Sequence, residues 1–166
     1  LQELFTVGKG INNATPPYTE SDVKAAAKVL TGWTVNNATN TSFFNSPKHD
    51  ITNKQFSSFY NNTVITGRSG AAGANELDDM LNMILATNET AMFICRKMYR
   101  WFVYYDIDAT TEANVITPLA QIFRNNNYDI KHVLDALFQS EHFVDVLNQG
   151  CQIKSPVDMN VSCGRE

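Results

Sequence analysis

Charge is scarce in this chain. Asp, Glu, Lys and Arg make up 18% of 166 residues, with 13 basic against 17 acidic side chains and a formal charge of −4. Such a balance leaves no basic footprint for nucleic acid and no polybasic attraction to an anionic membrane. Cysteine is scarcer still: three residues, at 95, 151 and 163. That is too few for a disulfide framework, and the absence of Cys-x-x-Cys removes zinc-knuckle and thioredoxin-type motifs. No apolar run approaches the roughly 20 residues that a membrane-spanning helix needs. There is no Gly-x-Ser-x-Gly elbow, no His-Glu-x-x-His and no phosphate loop with its Lys-Ser/Thr. The residues therefore imply no metal and no cofactor, and leave open whether the chain is an enzyme.

What is present is a helical pattern. The apolar fraction of 43% supports a packed core, and the length suits one domain. Thr19 reads as a helix N-cap with Asp22 closing a capping box. Val23, Ala26, Ala27 and Leu30 then recur on one face, Gly32 ends the helix, and Trp33 is expected to fold back on it. Leu77, Met80, Leu81 and Ile84 form a second stripe. Asn88 is a candidate cap for a helix to about Tyr104, apolar over most of its circumference. It is expected to be the central and most buried element, closing around Trp101 and Phe102. Within it Cys95 reads as a small core residue, and Arg96, Lys97 and Arg100 as a basic face.

Thr111 to Arg124 is also helical in pattern, and Pro118 requires either a fresh start with Thr117 as cap or a bend. Asp129 caps a further helix with Ile130, Val133, Leu134, Leu137 and Phe138 inward. Ser140 restarts it to bury Phe143, Val144 and Leu147. Ser155-Pro156 opens a last one. The expected fold is mainly α: an irregular bundle of about five to seven helices. Residues 34–72 interrupt it with a long loop rich in Asn, Thr, Ser and Gly. Short strands near Ser42–Asn45 and Thr63–Thr66 could pair there as a hairpin.

Candidate ligand-binding residues are His49, Asp50, Trp33, Arg96 and Arg100. His49 and Asp50 could offer an imidazole and a carboxylate, but a metal needs three or four spaced ligands, so an Asx-turn that orders the loop is the simpler role. Arg96 and Arg100 lie one turn apart and could grip one anion; an ion pair with a neighbouring helix is the alternative. Trp33, among amides, could stack on a sugar ring or simply anchor the loop. Gly67-Arg-Ser-Gly70 and Gly73 flank a helix start and could cradle an anion. Cys151 and Cys163 could pair across a short loop.

Glu3-Leu-Phe-Thr-Val-Gly8, Tyr18-Thr-Glu-Ser-Asp-Val23, Ala27-Lys-Val-Leu-Thr-Gly-Trp33, His49-Asp50, Phe93-Ile-Cys-Arg-Lys-Met98 and Ile153-Lys-Ser-Pro-Val-Asp158 occur in order along the chain. Together they resemble the bacterial family catalogued as domain of unknown function 1800, in the C-terminal part of a Bacteroidetes-like member. The segment Ala136 to Phe143 is similar to its pattern too. Where members often follow His-Asp with Gly and Lys-Thr, this chain has Ile51, Thr52, Asn53 and Lys54. The resemblance implies an exported protein, periplasmic or on the cell surface. The chain, which begins at Leu1 without Met, would then be a fragment whose partners include the missing N-terminal part and a glycan or other envelope component. The expected function is a binding or scaffolding module. A hydrolase acting on an extracellular polymer, with part of its active site in that missing region, is the alternative.

Overall fold

The computed structural model describes residues 1–9, 16–150 and 155–164. The chain is mainly α-helical, and its residues cluster in two compact units, Leu1–Thr90 and Ala91–Glu166.

The first unit opens with a wide π turn at Gln2–Thr6, followed by helix α1 (Glu20–Val29) and helix α2 (Glu76–Leu85). Between these helices lie two small antiparallel ribbons. Strand β1 (Trp33–Asn36) pairs with β2 (Thr41–Phe44), and β3 (Lys54–Gln55) pairs with β4 (Val64–Ile65). The expected strands at 42–45 and 63–66 thus exist within a residue or so but do not pair with each other; each finds a closer partner in sequence. The core joins Val7, Ala25, Ala26, Val29, Phe56, Tyr60, Ile65, Met80 and Ile84. The aromatics Phe56, Phe59 and Tyr60 meet edge to face, which replaces regular structure as the support of this stretch.

Asp22 does more than close the capping box. Its Oδ2 accepts from the Thr19 amide at 2.7 Å, and its carboxylate also takes the Ser57 amide (2.7 Å) and hydroxyl (2.8 Å). One buried side chain thereby ties the start of α1 to a segment 35 residues away. Burial alone would raise its pKa, but the hydrogen bonds from Thr19 and Ser57 outweigh that and hold it below the usual value of 3.8. A depressed folded-state pKa contributes stability that is present above the unfolded value and is lost as pH falls through the folded one. Asp22→Asn should therefore cost about 1–2 kcal/mol at neutral pH and flatten the acid limb of stability against pH below 3.8. Urea titrations from pH 7 to pH 2 check both.

In the second unit helix α3 (Asn88–Phe102) leads to a run built from α4 (Ala109–Thr111), a π turn at Glu112–Ile116 and α5 (Thr117–Asn125). Helix α6 (Ile130–Phe138), the short α7 (Glu141–Val144) and α8 (Pro156–Cys163) follow. With the α4–α5 run counted as one rod, the described residues of the two units together hold seven α-helices. Thr87, not Asn88, caps α3: its hydroxyl accepts from the Thr90 amide. Pro118 stands in the first turn of α5, directly after the π turn. The π turn before it lets Thr117 N–H and hydroxyl both reach the Glu112 carbonyl, so the chain passes a residue that has no N–H to give.

The buried stripe of α3 is Ala91, Cys95, Tyr99 and, just beyond the helix, Val103, a four-residue interval that keeps one face inward. Burial pushes the Cys95 thiol up to about 12. The expectation that α3 closes around Trp101 and Phe102 is corrected: Trp101 is 75% exposed and Phe102 lies at the margin, edge-on to Phe138. The position of Trp101 is two residues from Tyr99, which turns its ring away from the stripe. Trp101→Ser should accordingly shift unfolding free energy by no more than about 0.5 kcal/mol, as a chemical denaturation curve would measure. Val133 and Leu137 are inward on α6, whereas Ile130 and Phe138 are largely exposed, as are Val144 and Leu147 after Ser140. The segment at 141–148 breaks into α7 and a 3-10 turn at Val146–Asn148, so it does not keep the helical phase that would bury them.

Candidate functional site

The first unit assembles a polar cluster around Glu76, at the start of α2. Its carboxylate is fully buried. Oε2 accepts from Lys54 Nζ at 2.6 Å, and Oε1 accepts the Arg68 backbone amide at 2.6 Å. His49 Nε2 lies 3.1 Å from Oε1, off the line of an aligned hydrogen bond. Lys54 is itself 1% exposed and donates to the Asp50 carbonyl as well. Burial would push the Glu76 carboxyl up; Lys54, then His49 and the Arg68 amide, reverse this and hold it below its usual value of 4.5.

His49 is fixed from its other side. Nδ1 is 2.8 Å from the Thr31 carbonyl, which can only accept, so Nδ1 carries hydrogen there. The Thr31 hydroxyl takes the Asp50 amide at 2.8 Å. Asp50 makes the Asx-turn with the Thr52 amide (2.8 Å) and stands 3.9 Å from Lys28. The bonds from Thr52, first its hydroxyl and then its amide, hold the Asp50 carboxyl below its usual range.

Two glycines make room for this packing. A Cβ at Gly73 would meet His49 Cδ2 at 2.7 Å, and one at Gly67 would meet the Ile51 carbonyl oxygen at 2.0 Å. The glycine-rich segment does cradle an anion through a backbone amide, but the anion is the chain's own Glu76. Aromatic rings close the cluster: Phe44 is edge-on to His49 at 5.1 Å, and Trp33 is 5.5 Å from Phe44. His49, Asp50 and Trp33 are thus brought together through β2, by way of Phe44.

Arg96 and Arg100 belong to the second unit. Arg96 is not part of an open basic face: it is 3% exposed and grips Glu112 with Nε at 2.9 Å and 3.0 Å from the two oxygens and Nη2 at 2.6 Å from one. Arg100 Nε donates to the Tyr105 carbonyl at 3.2 Å, and Lys97 sits over the Phe93 ring. Arg96 is thus held by Glu112, and Arg100 reaches the Tyr105 carbonyl. His142, in α7, accepts from or donates to the Tyr99 hydroxyl at 2.9 Å with the rings stacked.

Lys54 and Glu76 were not among the nominated residues. The signal for Lys54 was its place as the only charged side chain between His49-Asp50 and Arg68 apart from Asp50 itself; nothing marked Glu76 from Asp78 and Asp79. Among the described residues no group of three His, Cys, Asp or Glu is placed to hold a metal ion, and no helix is long and apolar enough to cross a membrane. A groove of about 530 Å³, lined by Leu4, Tyr18, Thr19, Glu20 and Val23 among others, touches none of the five nominated residues. The Cys151–Cys163 pairing lies outside the described residues, at Cys151. No curated protein and no solved structure matches the chain. A family described as a protein of unknown function (DUF1800) matches residues 1–166. The chain belongs to the DUF1800 family.

Proposed function

We propose that this chain is a non-enzymatic binding or scaffolding module of an exported bacterial envelope protein, periplasmic or at the cell surface. Its contact surface is the β1–β2 ribbon. The observation that carries the reading is a contrast in exposure. The side chains of His49, Glu76 and Lys54 are 1%, 0% and 0% exposed, whereas Trp33, Val35 and Phe43 on the ribbon stand open at 37%, 58% and 45%. A general acid or base must reach its substrate, and this buried carboxylate is engaged by Lys54 and the Arg68 amide while the imidazole is held at the Thr31 carbonyl. That weighs against the hydrolase reading. The cluster serves instead as the footing of the ribbon, through Phe44 and Thr31.

Co-sedimentation with isolated bacterial envelope tests this. The chain is expected to pellet with the envelope, and the double variant Trp33→Ser/Phe43→Ser to lose roughly tenfold or more of that affinity, with an unchanged circular dichroism spectrum. Undiminished binding by the double variant would overturn the reading.

A further inference from the structure

The β1–β2 ribbon has its own hydrogen-bond arithmetic. The Asn45 amide donates to the Gly32 carbonyl at 2.7 Å, which sets the alternation of the antiparallel ladder. With Trp33 opposite Phe44 and Val35 opposite Ser42, residues 34 and 36 of β1 turn their backbone groups toward β2. Trp33 and Val35 turn theirs outward. The Trp33 amide reaches back to the Leu30 carbonyl at 3.4 Å. Among the described residues the Val35 N–H and C=O and the Trp33 C=O have no hydrogen-bond partner. Carbonyl, amide and carbonyl are thus offered in a row at the two-residue repeat of an extended chain. The side chains of the same two residues, both exposed, lie on one face of the ribbon, beside where a third strand would run.

We infer that the outer edge of β1 receives an extended polypeptide segment of a partner as a third strand, with apolar residues at alternate positions to lie against Trp33 and Val35. The inference rests on the ribbon being the contact surface proposed above, and it names the partner as protein in place of glycan. Backbone hydrogen bonds at a sheet edge supply affinity for an extended chain, and alternate side chains supply selectivity. A sugar would use the ring of Trp33 but has no use for the row of backbone groups. A second copy of the chain is the poorer fit. The edge is four residues long, about 13 Å at strand spacing, too short a seam for pairing along it to bury the roughly 800 Å² per partner of a stable globular interface.

Proline at position 35 isolates the backbone contribution. The Val35 N–H is not used by the β1–β2 ladder, so proline is compatible with the edge and removes only the outward donor. The probe is a short blocked peptide of alternating valine and threonine between lysines, titrated into the whole chain by NMR. The expected result is saturable binding that slows exchange of the Val35 amide roughly tenfold or more. Val35→Pro, with an unchanged circular dichroism spectrum, should abolish binding, and Val35→Thr should retain it. Unaltered Val35 exchange, equal binding by Val35→Pro, or self-pairing of the chain in sedimentation would each overturn the inference. If envelope binding falls with Trp33→Ser/Phe43→Ser yet survives Val35→Pro, the contact surface stands and the strand-addition mode does not.

Discussion

Lys54→Met is expected to destabilise the first unit by about 3–5 kcal/mol, because it strands a carboxylate in a place with no water to receive it. Glu76 is 0% exposed, and among the described residues Lys54 is the only side-chain cation that makes a fully formed charge-assisted hydrogen bond to it. The companion substitution matters as much. In Lys54→Met/Glu76→Leu both charges are gone, and the loss should be smaller than in Lys54→Met alone, since apolar replacement of a whole buried pair is often close to neutral. Urea denaturation of the two single variants and the double variant completes the cycle. Additive losses would show that the pair does not act as a unit. The pH dependence has a sign. Glu76 is held below 4.5 in the folded chain, so its contribution is fully present above that value and is lost as pH falls through the lower folded one. Lys54→Met should remove that acid-side loss and leave the variant's stability flatter in the same window.

Glu112→Leu should cost a similar amount, about 3–5 kcal/mol, in the second unit. It would leave the Arg96 guanidinium 3% exposed without the carboxylate that meets both Nε and Nη2. Arg96→Lys probes geometry separately from charge. A lysine keeps the positive charge but cannot present the planar fork, so it should recover only part of the stability lost in Arg96→Leu. Equal stability of Arg96→Lys and the parent chain would show that charge alone holds this contact. Thermal and urea unfolding followed at 222 nm distinguish these outcomes.

The helices were legible because each carries its own local statement. Thr19 with Asp22, Asp129 before Ile130, and Ser155 before Pro156 announce starts that the structure honours. Cys95 was readable as core from its apolar neighbours. The exposure of Trp101 is not legible in the sequence for a physical reason: a helix with aromatics on several faces gives no unique inward direction until a neighbour is chosen. Arg96 shows the same gap from the polar side, since its burial depends on Glu112, 16 residues on, and no local pattern links the two. Within the nominated site, His49, Asp50 and Trp33 do share a neighbourhood. What sequence could not convey is that Glu76 and Lys54 complete it and close it. Their approach depends on the hairpin turns at 57–63 and on two positions where glycine leaves space for a ring and a carbonyl.

The wide turn at Glu112–Ile116 carries a consequence for how this chain tolerates insertion and deletion. An α-helix advances roughly 100° about its axis per residue, and the π turn is in effect one residue too many. Removing one of Ala113, Asn114 or Val115 would restore regular winding and at the same stroke swing Glu112 about a third of a revolution away from Arg96. A single-codon loss on this rod is thus a rotational error, which turns α4 and the Glu112 side chain about the axis of α5.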